Sequence, residues 1–203
     1  MSTETKAFAL VRWGALLWLL TWLPFYIWVW GWRNMLHICD VGVILVCVGL
    51  WLRQPLLISS QALYALIVGI LWGLDVSWRL VTGHHLVGGT EYMWDTHYAL
   101  WIRLLSGFHL ILPLVLLWAM RLLGYDPRAL ALQSAITAAL LIFSRFLSPQ
   151  LNMNYAFEDP LLHRSWGPAP IHLAVILAGC VILFFWPTHL LLSRMFPLAS
   201  RSE

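Results

Sequence analysis

Cys39 stands between His37 and Asp40 in the stretch Met35-Leu36-His37-Ile38-Cys39-Asp40. A thiol acts as a nucleophile when a base lies within hydrogen-bond reach and donors face the developing oxyanion. His37 and Asp40 are three apart and share a face if the segment is helical. The base can be His37 or His109, the latter the one ionisable group in the apolar run Phe108-His109-Leu110-Ile111-Leu112-Pro113. Asp40 or His37 would orient the pair. Asn152, Asn154 and the neighbouring Tyr155 offer oxyanion or substrate contacts, and Arg79, Arg103 or Arg145 would hold a phosphate. A second chemistry uses the same residue types. His37, Asp40, Asp75, His97, His109 and His172 are adequate zinc ligands, yet no HxxxH or HExxH pair is present. The leading expectation is acyl transfer or ester hydrolysis on a lipid with no cofactor, and the alternatives are a non-enzymatic membrane binding, channel or assembly protein and a metal-dependent lipid hydrolase.

Each of these residues also has a plainer reading. Asp75 and Arg79, four apart, can form an ion pair on one helix face. His84 and His85 fall in a Gly-rich loop where a histidine is ordinarily solvated, and His163, His172 and His189 suit loop or interfacial positions. Cys47 and Cys180 fit as small apolar fillers, and the three arginines can snorkel to lipid headgroups.

The elements that must position these groups are long apolar runs. A spanning helix needs roughly 20 mostly apolar residues, and six runs qualify or nearly do: about 12–30, 36–52, 57–80, 98–123, 128–147 and 170–194. The fold class expected is all-α, one six-helix transmembrane domain over 1–203. Continuous apolar runs, rather than alternation, exclude a strand barrel. Turn residues mark the breaks at Trp32-Arg33-Asn34, Arg53-Gln54-Pro55 and Gly124-Tyr125-Asp126-Pro127. Two longer loops follow the third and fifth runs. The first run is longer than a signal-peptide core and lacks a small-residue cleavage site, so it reads as a retained helix.

The chain is 61% hydrophobic and 10% charged, with a mean hydropathy of +0.79. Soluble domains carry about 25% charged residues, so an ordinary soluble globule, a disordered chain and a nucleic-acid-binding module are all excluded. Membrane lipids are the partners this composition implies. Fourteen tryptophans suit a chain with two lipid–water interfaces. Six spans put both termini on one side. Lys6, Arg12, Arg53, Arg121, Arg128, Arg194 and Arg201 fall there, against Arg33, Arg79, Arg103, Arg145 and Arg164 opposite. The positive-inside rule then makes the terminal side cytoplasmic, as for a bacterial inner-membrane protein. All the histidines except His189 collect toward the opposite side, so a polar cavity open to the non-cytoplasmic face and floored by His109 is expected.

Three stretches together carry a resemblance: Met35-Leu36-His37-Ile38-Cys39-Asp40, Phe108-His109, and Asn152-Met153-Asn154-Tyr155-Ala156-Phe157. They resemble the YwaF-type integral membrane proteins of bacteria, relatives of the animal transmembrane protein 164, over about 36–157. The likeness implies a cysteine/histidine acyltransferase working on phospholipid acyl chains, with Cys39 at the nucleophile and His109 at the base. A more distant likeness, to the androgen-induced-gene-type hydrolases, implies ester hydrolysis inside the bilayer. Asn152-Met153 stands where the family has Gly-Thr, and Asp40, Asp95 and His97 have no counterpart in its pattern.

Overall fold

The computed structural model describes residues 3–198. Arg201, counted above for topology, lies outside them. Among the described residues there is no strand, and the helices follow in the order α1 (Thr3–Trp30), α2 (Ile38–Leu52), α3 (Pro55–Thr82), α4 (Leu100–Leu104), α5 (Phe108–Leu123), α6 (Ala129–Ser144), α7 (Ala169–Gly179) and α8 (Trp186–Met195). A single 3-10 turn, Leu105–Gly107, joins α4 to α5, and a π-turn, Cys180–Phe185, joins α7 to α8. Pro187 has no N–H for the carbonyl four residues back, which accounts for the irregular winding there.

Four helical stretches are long and apolar enough to cross a membrane: Lys6–Trp30, Pro55–Thr82, Leu100–Leu123 and Ala169–Met195. The other two expected runs are shorter than a span ordinarily needs. α2 has 15 residues and α6 has 16, or about 22–24 Å at 1.5 Å per residue against a hydrocarbon core of roughly 30 Å. Local chemistry sets the ends of α2. Residues Trp32–Leu36 wind into a 3-10 turn, and His37, with extended backbone, starts the helix. Arg53, left-handed at φ 50°, stops it just before Pro55 opens α3.

α3 is the axis of the molecule. It packs most extensively on α5, then on α2 and α6, and 56% of its most apolar stretch is buried, against 11% for α1 and for α7–α8. The main core joins Val46 and Leu50 of α2, Ile58, Leu63 and Tyr64 of α3, and Leu116 and Met120 of α5. A smaller core gathers Trp22 and Tyr26 of α1, Val43 and Phe108. α3 and α5 approach closely at a glycine and a proline. Pro113 has no N–H to offer the His109 carbonyl one turn back. Gly69 of α3 fits against that carbonyl so tightly that a Cβ there would lie 2.4 Å from its oxygen and 2.6 Å from the Pro113 ring.

Candidate functional site

The meeting of α2, α3 and α5 brings together two of the residues singled out for nucleophilic chemistry. Cys39, Tyr64, Ala65, Val68, Phe108, His109, Leu112 and Pro113 line one narrow cavity with room for about one water molecule. Cys39 lies in the first turn of α2 and His109 in the first turn of α5. The loop after α6 holds the start of α2 in place. Asn154 Oδ1 accepts the Ile38 N–H at 3.0 Å, and its Nδ2 donates to the Leu36 carbonyl at 2.8 Å and to Ser144 Oγ at 3.0 Å. The helix N-terminus is thereby capped from another part of the chain.

His109 is held in one orientation. Its Nδ1 donates to the Ser106 carbonyl at 2.8 Å, which leaves Nε2 as the lone-pair nitrogen. Its ring stacks on Trp72, with centroids 5.3 Å apart and planes 7° from parallel. Trp72 Nε1 donates to the Tyr92 hydroxyl at 2.9 Å, and burial pushes the Tyr92 phenol up to about 12. Ser106 shares a 2.5 Å hydrogen bond with Tyr26. A network of phenols and hydroxyls thus surrounds the segment that carries the imidazole.

The remaining expected site residues are engaged elsewhere. Asp40 is buried and accepts from Asn34 Nδ2 at 2.8 Å, directly after Cys39 in the chain. His37 serves as the cap residue of α2. Asn152 closes its own loop, accepting from the N–H groups of Phe157 and Glu158 and donating to the Glu158 carbonyl. Both asparagines therefore act as loop clamps rather than as free oxyanion donors. The Tyr155 ring is exposed, and its carbonyl accepts from His172 Nε2 at 3.0 Å. Arg103 donates to the Met93 carbonyl. Arg145 donates to the Ala156 carbonyl and stacks on Phe157. Arg79 stacks on Trp94.

Asp75 is not paired with Arg79. Its Oδ1 accepts the backbone N–H groups of Leu86, Val87 and Gly88 at 2.7–3.0 Å, and its Oδ2 accepts from Thr90 Oγ1 and lies 2.8 Å from His85 Nδ1. His85 is consequently bound rather than solvated. The zinc alternative loses its geometry as well. No group of three or more His, Cys, Asp or Glu side chains among the described residues is placed to share an ion. The oxygens of Asp75 hold the loop, His97 turns to Asp95 at the surface, and His172 uses both ring nitrogens, the second accepting from the Trp166 N–H.

Sequence reasoning missed Tyr64, Trp72, Tyr92 and Ser106. Apart from their polar atoms these residues look like ordinary membrane-helix or loop residues, and only the packing of α3 on α5 brings them to His109. The four-residue spacing of His109 and Pro113 was a readable signal of an opened carbonyl at that point in the helix. No protein-family model, curated protein or solved structure matches the chain.

Proposed function

We propose that the chain is a six-span membrane protein with both termini in the cytoplasm, and that it transfers or hydrolyses the acyl group of a lipid ester inside the bilayer. The observation that carries this reading is that Cys39 and His109, from different helices, line one cavity. In this reading α2 and α6 are short spans shielded by their neighbours. The likeness to the YwaF-type proteins points the same way. His109 Nε2 takes the proton of the Cys39 thiol, and the sulfur attacks the ester carbonyl. The C–O bond breaks, the departing alcohol receives the proton from His109, and a thioester on Cys39 remains. Attack on the thioester by an alcohol or by water, with His109 again as base, breaks the C–S bond and restores the thiol. Tyr64, beside both groups, supplies the oxyanion donor that Asn152 and Asn154 were expected to give. Asp40 and His37 keep the start of α2 in place.

The small size of the cavity favours a second reading, a non-enzymatic membrane component whose polar core sets helix packing. Turnover of p-nitrophenyl octanoate by the purified protein in phospholipid nanodiscs separates the two. On the enzymatic reading Cys39→Ala and His109→Ala each lower turnover at least about 100-fold, whereas His189→Ala leaves it unchanged. Equal turnover in Cys39→Ala, or none in the unsubstituted protein, favours the second reading.

A further inference from the structure

A second polar cluster lies between α3 and α6. Gln61 of α3, beside Ser60, meets Gln133 of α6, Thr137 lies one turn further along the Gln133 face, and none of the four is more than 4% exposed. Gln61 Nε2 donates to Ser60 Oγ at 3.0 Å and to Gln133 Oε1 at 3.2 Å. Gln61 Oε1, Gln133 Nε2 and Thr137 Oγ1 have no hydrogen-bond partner among the described residues. Polar groups buried among apolar helices are costly unless paired, so the three atoms call for an occupant.

Its chemistry follows by elimination. A cation is repelled by the Gln133 amide hydrogens, an anion meets the Gln61 carbonyl oxygen, and an apolar molecule satisfies neither. A small neutral molecule that both donates and accepts answers all three atoms, and water is the smallest, with about three hydrogen bonds typical of a buried one. Exchanging oxygen and nitrogen in both amides changes nothing, since one amide oxygen and one amide nitrogen are still left over.

The cluster adjoins the cavity. A Cβ on Gly42 of α2 would lie 3.5 Å from Gln61 Oε1 and 3.9 Å from the Tyr64 ring. Gln61 and Tyr64 therefore flank the same notch, and Tyr64 lines the space shared by Cys39 and His109. We propose that Gln61, Gln133 and Thr137 form an internal water site that supplies the Cys39–His109 cavity past Tyr64, so that water is the acyl acceptor. The water site stands on the three atoms alone, and the choice of acceptor rests on the thiol–imidazole reading above. In the hydrolytic step His109 Nε2 takes a proton from water and the oxygen attacks the thioester carbonyl. The C–S bond breaks, the carboxylic acid leaves, and the sulfur recovers the proton.

X-ray radiolysis of the full chain in ¹⁸O-labelled water tests the site, because buried bound water oxidises the side chains beside it. Tyr64 is expected to be oxidised at least about fivefold faster than Phe185, a buried residue of the same core that is 1% exposed against 7% for Tyr64. Gln61→Met combined with Thr137→Val is expected to bring Tyr64 down to the Phe185 rate. Thr137→Val alone, a smaller change, is expected to give part of that drop. Equal oxidation of Tyr64 and Phe185 in the unsubstituted protein overturns the water site. The acceptor is tested with p-nitrophenyl octanoate. Thr137→Val is expected to keep the initial nitrophenol burst, slow steady turnover about tenfold and accumulate acyl-Cys39 by intact mass. Unchanged steady turnover overturns the water supply. Absence of acyl-Cys39 from every protein defeats the thiol reading instead, and the radiolysis still decides the water site.

Discussion

At the scale of single residues, the polar groups divide into those that hold the protein together and those left with free chemistry. Asp75 belongs to the first kind. One carboxylate gathers three backbone N–H groups, a hydroxyl and an imidazole from the loop after α3. Hydrogen bonds to a charged group contribute about 1.5–3 kcal/mol each, so Asp75→Asn is expected to cost about 3 kcal/mol. At roughly 2–4 °C per kcal/mol for a chain of this size, the melting temperature in detergent should fall by about 6–12 °C. Glu91→Gln, at an exposed loop position, should leave it nearly unchanged, and equal melting of the two variants would contradict the assignment. Asp75 was legible in the sequence as a charge in need of a partner. The partner was not legible, because backbone amides have no sequence signature and the choice between Arg79 and the loop depends on how the Gly-rich segment folds back. Asn154 was misread for a related reason. Its side chain has the donors that an oxyanion needs, but the unsatisfied start of α2 uses them first.

At the scale of elements, the contact between α3 and α5 sets the site. The expected runs at 57–80 and 98–123 correspond closely to Pro55–Thr82 and Leu100–Leu123, since apolar length is written directly in the sequence. The break at Leu105–Gly107 and the crossing at Gly69 depend on packing and were not read. Three glycine substitutions test the crossing. Gly69→Ala drives a Cβ to 2.4 Å from the His109 carbonyl oxygen. This contact with backbone should cost about 2–3 kcal/mol, at the upper end of ordinary overpacking, and should displace His109. Gly73→Ala meets only the flexible end of Leu110 at 2.8 Å and should cost less. Gly14→Ala meets nothing within 4 Å and should stabilise α1 by about 0.5–1 kcal/mol through helix propensity. Thermal melting of the three in one detergent checks the order. A Gly69→Ala protein as stable as Gly14→Ala would show that the helices do not approach as described.

At the scale of the whole molecule, four helices have the length and composition of membrane spans, and two shorter ones pack against α3. The proposed six-span topology with cytoplasmic termini predicts that a phosphatase fused after Ser200 is inactive and that one inserted near Glu91 is active, because phosphatase folds only outside the cytoplasm. The opposite pattern would invert the topology. Matching activity at both sites would mean that an even number of spans lies between them, with α6 not crossing. Buried polar residues line the contact of α3 with α6, and the exposure of Leu10, Leu17 and Leu20 on α1 fits a peripheral helix facing acyl chains.

The claim on which the rest depends is that His109 activates Cys39, and alkylation by a long-chain alkyl chloromethyl ketone measures it. A thiol among apolar groups is inert, whereas one assisted by a base presents thiolate. Cys47, two turns further along α2, is the internal control. Peptide mass spectrometry should find Cys39 alkylated at least about tenfold faster than Cys47, with the difference abolished in His109→Ala and retained in His189→Ala. The His109 dependence separates activation from mere access. Alkylation of Cys39 at the same rate with and without His109 would contradict the account.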